Sequence, residues 1–326
     1  MATWLITGAS GFLGGHVMDA LGRERERNGR AGDRVVALGR NRPAGCPESS
    51  FVAADLDDPE SLGSAIRSVA PDFVIHTAGK TPPATDDELY RANFWTTNRL
   101  IKALRYAGRP VRIVLTGSAA EYGSVAAAEL PIGEDHPCDP VTSYGRSKLM
   151  TTISALAERP PLEVVVARLF NPIGPGLPET QAFGRFAAEL LSTNADPLPL
   201  TVGRLDARRD FVDARDAAGA MIAVALKGRA GAIYNIGAGC SRTVREGLDA
   251  LIRLSGRDVR VEVDQTLIGR REPDDSRARI DRIEADAGWR PTITFERSIE
   301  DLWNSAAARS RTLAMPRGDV PLPLTG

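Results

Sequence analysis

The chain has 326 residues and a mass of 34.9 kDa, a size for about two lobes rather than one small binding module. Hydrophobic residues make up 43% and charged residues 25%, the balance of an ordinary folded protein, which excludes wholesale disorder. Lys and Arg number 41 against 42 Asp and Glu, so a net charge of −1 gives no overall field toward nucleic acid or an anionic membrane. Cys46, Cys138 and Cys240 are odd in number and widely spaced, without the pattern of a metal site or a disulfide scaffold. No apolar run reaches membrane-spanning length and no signal-peptide pattern opens the chain, so a cytoplasmic protein is expected. His16, His76 and His136 are scattered, and no metal is expected.

In chain order, short apolar runs recur at Trp4 to Ile6, Val35 to Leu38, Phe73 to Ile75, Val111 to Leu115 and Val164 to Ala167. They are rich in β-branched residues and do not alternate with polar ones, as parallel strands covered on both faces require. Stretches of helical period lie at Phe12 to Leu21, Leu62 to Val69, Tyr90 to Leu104 and Ser143 to Leu156. The alternation predicts right-handed βαβ units: an α/β fold with a Rossmann-type doubly wound parallel sheet and ligands beyond the strands' carboxyl ends. After Asn171 the sequence loosens into Pro and Gly, then regains helical period from Gln181 to Leu191. A further strand signal at Ala232 to Ile236 returns the chain to the first lobe. The expected division is residues 1–171 with a return segment of about 209–237 for the dinucleotide-binding lobe. Residues 172–208 and 238–309 form a smaller, discontinuous C-terminal substrate lobe, and 310–326, with Pro316, Pro321 and Pro323, an irregular tail.

Thr7 to Gly14 reads TGASGFLG directly after the first strand signal and at the opening of the first helix. Gly8 and Gly11 allow a tight turn and close approach of a pyrophosphate, and Gly14 lets the helix pack closely; Ser10, Phe12 and Leu13 stand between them. The second strand ends Gly39, Arg40, Asn41, Arg42, with no carboxylate to bind a ribose 2′-hydroxyl. Arg40 can pair with a 2′-phosphate, which favours NADP over NAD while leaving NAD possible. Asp55 and Leu56 either contact the adenine or cap the helix beginning near Pro59.

Tyr144 and Lys148 lie four residues apart in a helical segment and so share one face. A nearby ammonium lowers a tyrosine's pKa from about 10, which makes Tyr144 a candidate proton donor and acceptor. Ser118 stands at the carboxyl end of another strand signal, where its hydroxyl can reach a substrate carbonyl.

With these motifs the chain resembles the extended short-chain dehydrogenase/reductases, the NAD-dependent epimerase/dehydratase family. The resemblance covers about residues 3–305 and also rests on His76 to Gly79, Asn93, Tyr122 with Gly123, Arg168 to Gly176, Arg209 to Phe211, Tyr234 to Gly237, and Gly288 with Trp289. It implies that Tyr144 is the acid/base, that Lys148 fixes the ribose and tunes Tyr144, and that Ser118 polarises a sugar carbonyl. Ala78, Gly79 and Asn93 join the cofactor site by the same resemblance, and the substrate is a nucleotide-diphosphate sugar. Arg209 is implied at its diphosphate, Asn171 at the diphosphate or the active-site edge, and Arg271 as a second phosphate-binding arginine; position alone puts Gln181 to Arg185 at the sugar or base pocket. Pairing through the helices at Tyr90 to Leu104 and Ser143 to Leu156 implies a homodimer.

Ala120 stands where dehydratases of this family keep an acid, which disfavours dehydration. Glu121, one residue off, either replaces that acid or is a loop carboxylate bonded elsewhere. The segment from Val202 to Phe211 resembles members that process GDP-mannose derivatives, including GDP-4-keto-6-deoxymannose reductases. The expected reaction is NADPH-dependent reduction of a nucleotide-diphospho-4-keto-6-deoxy sugar. A 4-epimerase with tightly bound NAD and, more remotely, a non-catalytic dinucleotide sensor are the alternatives.

Overall fold

The structure is a computed structural model that describes residues 1–27, 32–192, 195–267 and 273–314. Seven parallel strands form the central sheet: β1 (Thr3–Thr7), β2 (Arg34–Gly39), β3 (Phe51–Ala53), β4 (Phe73–His76), β5 (Val111–Ser118), β6 (Leu162–Leu169) and, after four short strands, β11 (Ile233–Ile236). Their spatial order is β11-β6-β5-β4-β1-β2-β3, so the direction of winding reverses between β1 and β4. That reversal opens a crevice beyond their carboxyl ends, where the glycine-rich turn lies.

Apolar side chains from both faces of the strands explain why this sheet must be covered twice. Trp4, Ile6, Val35 and Val165 meet helices α1 (Phe12–Arg27), α7 (Ala214–Lys227) and α9 (Asp281–Ala287). Leu5, Val36, Val74, Ile113 and Val166 meet α2 (Pro59–Val69), α4 (Thr96–Tyr106) and α5 (Ser143–Leu156) on the other face. In α2 the buried residues Leu62, Ala65, Ile66 and Val69 recur at helical spacing, while Pro59 opens the helix. Its cap is Asp58, whose carboxylate accepts from Glu60 N, so the capping role open to Asp55 belongs to Asp58.

The helical stretch expected from Tyr90 begins earlier, with α3 (Asp86–Leu89). Thr85 and Glu88 cap one another's backbone there, and a π-helical segment, Tyr90–Trp95, leads into α4.

A second core gathers outside the sheet. Phe183, Phe186 and Leu190 of α6 (Ala182–Ser192) pack with Leu200 of β8 (Leu198–Val202), Leu248 and Leu251 of α8 (Val244–Ser255), and Ile299 and Leu302 of α10 (Phe295–Ala314). Strand β8 pairs in parallel with β13 (Val259–Val263). Helix α10 carries residues 310–314 in place of the irregular tail expected there, because no proline interrupts the chain before Pro316; residues 315–326 lie outside the described residues.

Carboxylates bind the two cores together. Asp210 is fully buried and accepts from Ala238 N, Gly239 N at 3.0 Å and Ala278 N at 3.0 Å. Asp213, at the end of β10 (Phe211–Asp213), accepts from Ser298 Oγ at 2.6 Å. Strand β10 itself pairs with β7 (Asn171–Ile173), which continues the chain beyond β6. Among the described residues no helix is long and apolar enough to cross a membrane, and no three His, Cys, Asp or Glu side chains are grouped to hold a metal ion.

Candidate active site

The crevice is built on backbone contacts that only small residues permit. Gly8 has a φ of +74°, and a Cβ there would lie 2.5 Å from Ala78 N, so the glycine turn and the loop after β4 touch directly. A Cβ on Gly14 would lie 2.1 Å from Gly8 O, which shows how closely α1 is seated on the turn. Gly11 differs, because a Cβ there would meet only Gly8 O at 3.2 Å and its outer side is open. The bond from Gly15 N to Gly11 O is 2.9 Å, leaving the amides of Phe12, Leu13 and Gly14 as end-of-helix donors with no acidic residue in the first turn. An open cradle with a positive helix end fits a pyrophosphate.

Directly after β2, Arg40 is exposed and no carboxylate among the described residues pairs with it. Asp55 is also exposed, and its Oδ1 accepts from Asp57 N at 2.9 Å; Leu56 is half-buried against the core. Asn93 is buried within the π-helical segment. Its Oδ1 accepts from Lys80 N at 2.9 Å, and its Nδ2 donates to Lys80 O and Ser147 Oγ, both at 3.0 Å. The amide is spent on this brace, so Asn93 acts at the crevice by holding the Ala78 to Lys80 loop against α5.

His76, at the end of β4, is a buried structural histidine. Thr97 Oγ1 donates to Asn93 O, so it accepts from His76 Nε2 at 2.9 Å, and His76 Nδ1 accepts from Thr7 Oγ1 at 2.6 Å. Burial, helped by the Lys148 charge, lowers the imidazole's pKa to about 3. The unfolded chain binds that proton below about pH 6.5, whereas the folded protein does not until near its own lowered value. Stability is therefore lost as pH falls below 6.5. Between about pH 7 and pH 5, urea unfolding should show the unsubstituted protein losing about 2 kcal/mol more than His76→Asn; equal losses would contradict this.

Ser118 ends β5 and hydrogen-bonds Tyr144, while Lys148, one turn along α5, acts on His76 at the end of β4 and is acted on by Glu121. Helix α5 is pressed onto the turn after Ser118, since a Cβ on Gly145 would lie 2.3 Å from Ala120 O. Thr142 caps this helix by accepting from Gly145 N at 3.0 Å. Burial raises the Tyr144 pKa, Ser118 counters it through a hydrogen bond, and the Glu121 charge adds to the rise. Lys148 is buried, which lowers its ammonium to about 8 against the upward pull of Glu121. The lowering expected from a nearby ammonium is therefore reversed in this structure: burial governs Tyr144, and the phenol keeps its proton near neutral pH.

Glu121 does not face this space as a free acid. Its Oε1 accepts from Ser118 N at 2.7 Å, and its Oε2 accepts from Arg168 Nη2 at 2.7 Å and Arg168 Nε at 3.1 Å. Of the two sequence alternatives, the structure gives the carboxylate bonded elsewhere. Ala120 offers no replacement acid.

The substrate-side residues are less gathered. Asn171 Nδ2 donates to Asp210 O at 3.2 Å at the junction between the cores. Arg209 lies in β9 (Arg208–Arg209), between β12 (Arg242–Thr243) and β14 (Asp275–Ser276), and donates to Arg208 O and Pro273 O, both at 2.8 Å. Part of its guanidinium thus serves backbone carbonyls. Arg185, on α6, pairs with Glu189, and Arg271 lies outside the described residues.

A profile of the NAD dependent epimerase/dehydratase family matches residues 4–237. The dTDP-6-deoxy-L-talose 4-dehydrogenase (NAD(P)(+)) of Kitasatospora kifunensis is 31% identical over 317 residues, 92% of this chain and 94% of that protein. The GDP-6-deoxy-D-mannose reductase of Pseudomonas aeruginosa is 31% identical over 265 residues, 79% of this chain and 87% of that one. A solved structure of RMD from Pseudomonas aeruginosa complexed with NADPH superposes with a TM-score of 0.79 at 29% identity, covering 95% of this chain and all of that one. With a glycine cradle at the sheet's reversal point and a Ser, Tyr and Lys group beside it, the chain belongs to the NAD dependent epimerase/dehydratase family.

Proposed function

We propose that the protein is an oxidoreductase that uses NADPH to reduce the 4-keto group of a nucleotide-diphospho-4-keto-6-deoxy sugar. The observation that carries this reading is Tyr144 hydrogen-bonded to Ser118 and one helical turn from Lys148, with the carboxylate whose charge reaches both, Glu121, locked to Arg168. Such a site can deliver a proton to a carbonyl oxygen but lacks the free acid that elimination of water needs. The two relatives that act on 6-deoxy sugar nucleotides, and the neighbour bound to NADPH, support it.

Residues 1–171 with 209–237 hold the dinucleotide, and 172–208 with 238–309 hold the sugar nucleotide. When bound, the reduced nicotinamide supplies the hydride. Gly8, Ser10, Gly11, Phe12, Leu13 and Gly14 cradle the pyrophosphate, with Ala78 and Gly79 alongside. Asp55 and Leu56 lie at the adenine, and Lys148 holds the ribose. Ser118 donates a hydrogen bond to the substrate's keto oxygen, Tyr144 passes its proton to that oxygen, and the Lys148 ammonium stabilises the phenolate left behind. Asn171 and Arg209 face the substrate's diphosphate.

The enzyme is cytoplasmic, in keeping with three free thiols, and pairs with a second copy of itself. Trp95 at 56%, Met150 at 42% and Ile153 at 63% exposure give the α4 and α5 region an apolar surface suited to that contact.

Rates of NADPH and NADH oxidation with GDP-, dTDP- and UDP-linked 4-keto-6-deoxy sugars test the reading. Stoichiometric oxidation supports it, product without net oxidation would mean epimerisation, and silence across the set would mean a dinucleotide sensor. Arg40→Ala should raise KM for NADPH about tenfold and leave NADH within about twofold, the effect of losing one charge-assisted phosphate contact. Equal effects on both cofactors would remove Arg40 from the 2′-phosphate.

A further inference from the structure

The carboxylate that does not act as an acid has a more specific arrangement than a cap requires. Ser118 and Glu121 cap one another across a single short turn: Ser118 Oγ accepts from Ala120 N at 3.2 Å, and Glu121 Oε1 accepts from Ser118 N at 2.7 Å. The hydroxyl thus accepts from the backbone of its own turn and also hydrogen-bonds Tyr144.

Both partners of the ion pair below are buried, Glu121 completely and Arg168 to within 1%. The Arg168 guanidinium also lies over the Tyr122 ring, 4.4 Å from its centre, while Tyr122 Oη donates to Asn235 Oδ1 at 2.7 Å. Burial works against the Arg168 charge, and Glu121, the largest of the opposing partners, together with Tyr122 and Cys138 more than offsets it, holding its pKa above the ordinary value. For stability alone, an apolar filling of the same space serves as well or better. A fixed charge beneath the hydroxyls is what only an ionic group provides.

We propose that Glu121 and Arg168 are a positioning pair for the reaction: Arg168 fixes Glu121, and Glu121 aims the Ser118 hydroxyl and sets the field at Tyr144 and Lys148 from below. The charged and titratable groups facing Glu121 are Arg168 from β6, Tyr144 and Lys148 from α5, the adjoining Tyr122, and Cys138 from the loop above; Glu134 lies behind Tyr122. Glu121's charge adds to the burial that raises the Tyr144 pKa and opposes the burial that lowers that of Lys148.

The inference deepens the reductase reading and rests on it for the reaction served, but its main test needs no substrate. Tyr144 ionisation is read as phenolate absorbance within milliseconds of a pH jump, taking the difference between each protein and its Tyr144→Phe counterpart. Glu121→Gln keeps the shape and the acceptor for Ser118 N but removes the charge. Its midpoint should fall by about one pH unit relative to the unsubstituted protein. Adding Arg168→Met should bring the midpoint back most of the way, because both charges are then gone, and this double variant avoids an uncompensated buried charge.

In turnover, Glu121→Gln should lower kcat about tenfold with KM within about threefold, as misaimed donors do. Glu121→Asp, which keeps the charge, should recover the midpoint but only part of kcat. A folded Glu121→Gln whose midpoint is unmoved would overturn the inference and leave the pair a structural cap. Inactivity of the unsubstituted protein on every sugar nucleotide would instead overturn the reductase reading.

Discussion

Tyr144→Phe should lower kcat for reduction about a thousandfold while leaving KM within about threefold, the range for removing a general acid from a prepared site. Only the hydroxyl is deleted: the ring keeps its half-buried place on α5, and the contact of Gly145 with the Ala120 backbone is untouched. The melting temperature should therefore stay within a few degrees. Residual rate comes from Ser118, which still offers its hydrogen bond to the keto oxygen, and from water as a poor proton donor. A change smaller than about threefold in kcat would mean that the proton comes from elsewhere.

Gly14→Ala should weaken NADPH binding at least about tenfold and lower stability by about 1–3 kcal/mol. The added methyl would sit 2.1 Å from Gly8 O and 2.7 Å from Gly8 C, both backbone atoms that no rotamer change can move aside. Helix α1 must lift from the turn, and the amides of Phe12 and Leu13 shift with it. Gly15→Ala is the control, since its methyl would meet nothing nearer than Ala9 O at 4.0 Å. Alanine at that helical position should preserve NADPH affinity and add up to about 1 kcal/mol of stability. Isothermal titration and urea unfolding of the two variants give the comparison; equal affinities would detach the cradle from the pyrophosphate.

The central sheet is legible in the sequence because strands buried on both faces need uninterrupted apolar runs, and the helices between them need an apolar stripe. Strand β3, expected before Asp55, is the faintest of them, because Phe51–Ala53 is three residues long, lies at the sheet's edge and is only partly buried. The ladders β9, β12 and β14 are two residues each and mostly polar, so no periodicity marks them. Tertiary pairing decides them, and with them the course of Arg209.

At the site, Gly8 to Gly14, Ser118, Tyr144 and Lys148 are readable because their chemistry depends on local spacing. The state of Glu121 is not local. Its partner Arg168 is 47 residues away, and only the adjacency of β5 and β6 puts the guanidinium beneath the Ser118 turn. The Asp210 clasp escapes for the same reason, its amide donors lying 28 to 68 residues along the chain. Asn93 marks a subtler case: the position is recognisable, but the bonds that turn its amide to Lys80 and Ser147 arise from the π-helical segment and α5 meeting in space.

The most direct measurement follows deuterium from the reduced cofactor into the product. With NADPH deuterated at the transferable C4 position and a 4-keto-6-deoxy sugar nucleotide, the product should carry one deuterium at sugar C4, with one NADPH oxidised per product. Deuterium-free product, or an epimer formed without net oxidation, would contradict the account.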